Sequence, residues 1–238
     1  MVYISIFSTI LAFAFAFSVF NRYRDTKRTY LLLWTFGLVL YGIGTLSEVI
    51  MSFAFSVPVL KIWYLSGAML TAAWLGQGTV HLLVRKKGVA PTLSAILAVL
   101  SVIATILVIL APITGAAESY EVTQPLSSQY QDIMVRNGVI IFMTIILNLY
   151  GTVTLVGGAI YSAFLFWRKK VLVNRMLGNI LIAAGALLPA LGGSFLKAGM
   201  GDVLYISEFL GVIVMYAGFL LAITPAAVVE GEGMVAAE

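Results

Sequence analysis

Two sets of polar residues stand out in a chain that is otherwise overwhelmingly apolar. Residues 74–83, WLGQGTVHLL, place Gln77 and the chain's one histidine, His81, four positions apart inside an apolar run. On a helix that spacing puts both on one face, and Trp63, Gly67, Leu70 and Trp74 extend the same stripe at three- and four-residue steps. A single histidine with no cysteine or carboxylate beside it is a poor metal site, so no metal is expected there. Gln77, His81 and Asn148 instead read as interhelical polar contacts, with Asn148 the expected partner of Gln77. The second set is charged. Glu48, Lys61, Lys197 and Glu208 fall at similar depth toward the opposite end of their helices, two acids against two bases. Ionisable residues in such runs usually face the bundle interior and mark a site or an ion pair. Both readings remain open: structural pairing, or a ligand-binding pocket lined by Glu48, Lys61, Lys197 and Glu208 with Trp63 and Tyr205 as apolar walls. The histidine lies at one end and the charged residues at the other, so a Ser-His-Asp arrangement has no third member. No enzymatic chemistry is expected, and a carboxylate-based intramembrane enzyme is a remote alternative.

The elements that carry these groups follow from composition. Hydrophobic residues make up 61% of the chain, charged residues 10%, and mean hydropathy is +1.05, far from a soluble domain. Apolar runs of membrane length occupy 2–20, 31–55, 59–84, 93–114, 137–167, 178–198 and 203–226. They are continuous rather than alternating, which excludes a lipid-facing barrel. The fold class is therefore all-α: an integral membrane protein with a seven-helix transmembrane domain over 1–228. The acidic residues 229–238 read as a disordered tail. No room is left for a soluble catalytic domain. A net charge of +4 is too modest to imply nucleic acid, and the absence of cysteine excludes disulfides, cysteine–zinc sites and thiol chemistry.

Basic residues set an orientation. Arg22, Arg24, Lys27 and Arg28 follow the first run, Arg85, Lys86 and Lys87 the third, and Arg168, Lys169, Lys170 and Arg175 the fifth. All three loops share one side, which the positive-inside rule makes cytoplasmic, with the N terminus outside and the C terminus inside. The same clusters suit contact with lipid headgroups. The first run is followed by NRYRDTKR rather than a small-residue cleavage site, and so reads as a retained helix. The longest loop, GAAESYEVTQPLSSQYQD, is external on this scheme. Its polar, proline-containing composition reads as a solvated connection, with a cap over the outer mouth as the alternative.

The sixth run, GALLPALGGSFLKAG, has Ala186, Ala190, Ser194 and Ala198 at four-residue steps, a pattern for close helix approach. Pro189 should kink it, making Pro189 and Gly193 a candidate hinge. Seven spans with an external N terminus also allow a three-plus-one-plus-three arrangement. Setting Gly44 on Gly193 places Glu48 opposite Lys197, the kind of parallel repeat that some transporters use.

The order RDTKRTYLLLWTFGLVLYGIGTLSE, then KIWYLSGAMLTAAWLGQGTVHLLVRKK, resembles the membrane-embedded seven-helix sensor regions of bacterial histidine kinases and related signalling proteins. The shared features are a basic loop, a Trp/Gly/Tyr-rich second helix ending in Glu, and a third helix opening on a Trp-Tyr pair, over about residues 22–87. The resemblance implies a prokaryotic plasma-membrane protein. The kinase domain of that family is not found in these residues, so a sensor of this form passes its signal to a separate protein partner. Seven-helix retinal proteins hold their chromophore on a lysine in the last span. The seventh run here has none, so neither covalently bound retinal nor any other cofactor is expected. The leading expectation is a stand-alone sensor or receptor-like module with a polar pocket in the outer half. A small-solute transporter is the alternative, and an accessory subunit of a larger membrane complex the third.

Overall fold

An uninterrupted apolar stretch offers its backbone no water to bond with, so each N–H and C=O must be satisfied within the segment, and the helix is the structure that does so. The computed structural model describes residues 2–169, 173–197 and 201–224, and the side chains of all these except 169, 193–197, 201 and 202. The tail assigned to 229–238 lies outside the described residues. Seven helical rods among them are long and apolar enough to cross a membrane.

In chain order the elements are α1 (Val2–Thr26), α2 (Thr29–Met51), α3 (Val57–Trp63), a π-helical turn (Tyr64–Leu70), α4 (Thr71–Leu83), α5 (Val89–Leu110), α6 (Leu126–Ile133), α7 (Gly138–Lys169), α8 (Val173–Lys197) and α9 (Gly201–Ile223). Helices α3 and α4 with the π turn form one rod. Helix α1 runs through NRYRDT, past the end of its apolar run, because Arg is a good helix former and its stem can lie along apolar surface. The reversal into α2 is made by Lys27, whose φ of 55° is left-handed. Gly88, at φ 83°, does the same before α5.

Neighbouring contacts run from α1 to α2, to the α3–α4 rod, to α7, α8 and α9, and back to α1. These six rods close a ring, and α5 packs outside it against α4, the π turn and α7. Few of its side chains are buried: Ala90, Leu97, Ala104 and Val108. Within the ring, a small cavity of about 30 Å³ touches all six rods through Phe15, Val19, Trp34, Leu38, Leu75, Leu155, Ile182, Met215 and Phe219, and its lining is wholly apolar.

The closest helix pair is α8 with α9, and its seam differs from the expected one. Backbones meet at Gly178 against Gly218 and at Gly185 against Gly211, with Gly192 facing Ser207; a Cβ on Gly185 would lie 2.7 Å from the Gly211 carbonyl oxygen. Glycines spaced by seven make the approach, in place of the four-residue series from Ala186. Helix α8 continues through Pro189, whose ring lies against Gly211. Such a seam joins α8 to α9 along their length, and the hinge proposed at Pro189 and Gly193 would have to move both.

The long connection corrects the expectation of a solvated loop. Its two ends are laced by Thr114 N–H to the Ile133 carbonyl at 2.8 Å and Val135 N–H to the Pro112 carbonyl at 2.9 Å. Leu126, Ile133 and Met134 are buried in the same core as Met51, Leu60 and Trp63. Tyr120 stacks near Phe55 and donates its hydroxyl to the Met51 carbonyl at 3.2 Å. The segment is a cap on one end of the bundle, here termed the loop end; the basic loops are at the other.

Candidate functional site

Glu48 lies one turn before the end of α2, 3% exposed. Its carboxylate accepts from Trp63 Nε1–H at 3.0 Å and from the Ser5 hydroxyl at 3.2 Å. One turn deeper, Thr9 donates to Thr45 at 2.9 Å, continuing the α1–α2 polar seam. Tyr41 reaches across to α9 and donates to the backbone carbonyl of Glu208 at 2.7 Å. The carboxyl of Glu208 is close enough to that of Glu48 for the two charges to interact, and Tyr205, one turn away and buried, lies within range of both.

The cap closes this arrangement. Tyr130 of α6 meets Trp63 edge-on with ring centroids 5.1 Å apart, and Tyr64 at 5.7 Å. Arg136 lies 4.8 Å over the other aromatic partner in this stack, Tyr130. Ser127 is 1% exposed, lies against Tyr205, and its hydroxyl has no hydrogen-bond partner. Burial raises the Tyr130 phenol above its ordinary range. Tyr120 is pushed up to about 12, first by burial and then by the nearby Glu48 charge.

The expected pairing of two acids with two bases is not formed. Lys61 turns outward, and its Nζ donates to the Ile109 carbonyl of α5 at 2.6 Å. A lysine on that face of α3 can cap the unsatisfied C-terminal carbonyls of α5, a role that charge and depth alone do not disclose. The side chain of Lys197 lies outside the described ones. Among the described residues neither glutamate has a cationic partner. Of the expected pocket, Glu48, Trp63, Tyr205 and Glu208 come together and Lys61 does not.

The π turn explains why the continuous stripe along the third rod divides. It is closed by the Thr71 hydroxyl donating to the Ser66 carbonyl, five residues back, at 2.8 Å. The wider turn shifts the helical phase. Trp63 therefore meets Glu48 on α2, whereas Trp74, Gln77 and His81 all bond to α5. Trp74 Nε1–H donates to Ser101 at 3.1 Å. Gln77, fully buried, donates to the Ala90 carbonyl at 2.9 Å and Ser94 at 2.8 Å, and accepts from the Tyr150 hydroxyl. His81 Nε2 shares a 2.7 Å hydrogen bond with Ser94. Asn148 is not the partner of Gln77: it donates to the Ala68 carbonyl at 2.8 Å and to Thr144 of its own helix. Two residues further along α7, Tyr150 takes that place.

Ser5, Tyr41, Ser127 and Tyr130 were not singled out by their sequence. Serine and tyrosine are unremarkable in apolar helices, and only their convergence on one point distinguishes these four. A weak signal existed in the loop, where Leu126, Tyr130 and Ile133 recur at helical spacing.

The fold is thus a helical bundle with seven membrane-length rods and a capped carboxyl site at its loop end. No family profile, curated protein or solved structure matches the chain.

Proposed function

We propose that this is a multi-pass membrane protein, N terminus outside, acting as a stand-alone sensor or receptor-like module whose receptive site is the capped Glu48–Glu208 region. The observation that carries this reading is the place of Trp63. It is the last residue of α3, it holds Glu48, it packs under the cap, and the π turn begins at the next residue. A π turn stores one surplus residue and can relax to α-helical geometry, which would rotate and translate everything beyond it. An event at the cap that moves Trp63 then reaches α4 and the basic end, where a separate signalling protein would read it. The resemblance of residues 22–87 to kinase sensor regions supports the same assignment.

The test is a distance measurement between spin labels at Arg85 and Arg168 in the full chain. Glu48→Gln and Thr71→Val, which disturb the two ends of the proposed relay, are each expected to change that distance by about 1.5 Å or more, the rise of one helical residue. Unchanged distances in both variants would reduce these contacts to structural ones and favour the accessory-subunit reading. The orientation is checked by amine labelling from outside sealed cells, which should spare Lys86.

One observation favours a second reading. The closed ring uses the first three and last three spans and leaves the fourth outside, as a three-plus-one-plus-three transporter would. Uptake of labelled solute into proteoliposomes, abolished by Glu208→Gln, would establish transport in place of sensing.

A further inference from the structure

The receptive site carries two carboxyl groups and no cation, and that imbalance has a chemical sense. We infer that the Glu48–Glu208 pair binds a small organic cation through a primary ammonium group, held beneath the cap by α6. The inference rests on the sensor reading above and names the ligand class of that same site.

A carboxyl in a membrane-length helix requires a proton or a counter-charge, since an isolated ion in low dielectric is strongly unfavourable. Glu48 already receives two hydrogen bonds, from Trp63 and Ser5. No hydrogen bond reaches the carboxyl of Glu208 from the described residues, and it is only half-buried, so it retains an approachable face. The cation nearest in sequence, Lys61, is committed to α5. What the site lacks is a donor carrying positive charge.

A second, independent feature points the same way. Ser127, on the cap, is buried with an unpartnered hydroxyl and lies against Tyr205, which in turn faces both glutamates. An unsatisfied buried hydroxyl is unfavourable by itself, and an incoming N–H would satisfy its oxygen. An ammonium group has three N–H donors. Glu48, Glu208 and the Ser127 oxygen supply three acceptors, on α2, on α9 and on the cap. A divalent metal fits less well, because calcium seeks six to eight oxygens and magnesium an octahedron, and no cluster of three or more His, Cys, Asp or Glu side chains occurs among the described residues. The walls also suit a cation. Trp63, Tyr130 and Tyr205 surround the carboxyls, and the cap already holds one cation on an aromatic face, Arg136 over Tyr130 at 4.8 Å. One bound ammonium balances one carboxylate; the other carboxyl keeps a proton, and the occupied site is neutral.

The experiment uses the purified full chain in detergent, with n-butylammonium as the probe, n-butanol as its neutral counterpart and tetramethylammonium as a cation without N–H donors. Binding is read by tryptophan fluorescence and by the shift in thermal unfolding. Butylammonium is expected to bind, with affinity falling at least tenfold in Glu208→Gln and about threefold in Ser127→Ala, and with the other two probes at least tenfold weaker. Glu208→Gln disturbs no internal hydrogen bond and should fold. Equal binding of butanol would show that only the apolar chain is recognised, and equal binding of tetramethylammonium that the three-donor match is wrong. Unaltered binding in Glu208→Gln would place the cation elsewhere. Any of the three overturns the inference. The spin-label distances require no ligand, so the relay can stand while the ligand class fails.

Discussion

The two polar regions of this bundle, one at each end of the third rod, are built on opposite terms. Around Gln77 every group is neutral and every hydrogen bond is matched: amide to serine and carbonyl, tyrosine to amide, histidine to serine. This network fastens α5, which otherwise touches the ring lightly. Around Glu48 two carboxyls share a confined space without a cation, and a nearby serine hydroxyl is unpartnered. A saturated network holds its parts in one arrangement, whereas an unbalanced one changes when something arrives to balance it. The contrast separates the structural region from the receptive one, and the π turn lies between them.

The largest effect is expected on the structural side. The α4–α7 contact that frames Gln77 brings Gly151 against the Ala72 backbone, which cannot yield as a side chain would. Gly151→Ala should destabilise the bundle by about 3 kcal/mol, measured by denaturant unfolding in detergent; a mild effect would mean that α4 and α7 are further apart. Next is Gln77→Leu, which strands the Tyr150 hydroxyl and should cost about 2 kcal/mol. Glu48→Gln is the opposing case: an amide oxygen can still accept from Trp63, and stability should change by less than about 1 kcal/mol or rise, since a buried charge is removed. Equal losses from the two substitutions would erase the distinction between the regions.

The cap supplies a pH test. Tyr120 titrates at about 12 in the folded protein against an ordinary 10.0. Its raised value means that the folded state prefers the neutral phenol, so the contribution to cap docking is full below pH 10 and is lost as pH rises toward 12. Protease sensitivity of residues 111–137 should increase across that window, and Tyr120→Phe should remove the step attributable to this group. The smallest effect is expected from His81→Ala, about 0.5 kcal/mol, because Ser94 keeps its bonds to Gln77 and to the Ala90 carbonyl.

Much of the fold was legible in advance because hydropathy acts on each segment separately. All seven runs became rods, and the errors fell at ends such as 21–26, where helical hydrogen bonding continues after apolarity stops. The site was half legible. Glu48, Trp63, Tyr205 and Glu208 were recognisable as polar or amphipathic groups at one depth, but depth does not say which way a side chain turns, and Lys61 turned to α5. The π turn escaped notice for a similar reason: YLSGAML reads as ordinary helix, and its extra residue is stabilised by a hydroxyl five positions away. Glycine packing along α8 was mistaken for an alanine stripe because both patterns are present and only one faces α9.

The linear order of residues therefore determined what each segment must become, through length, apolarity and the cost of unsatisfied backbone groups, all local quantities. Tertiary structure alone decided the closing of six rods into a ring, the exclusion of α5, the docking of the cap and the meeting of two carboxyls without a base. Those outcomes depend on helical phase and on contacts between residues as far apart as Tyr41 and Glu208. A single surplus residue in one turn is enough to alter them.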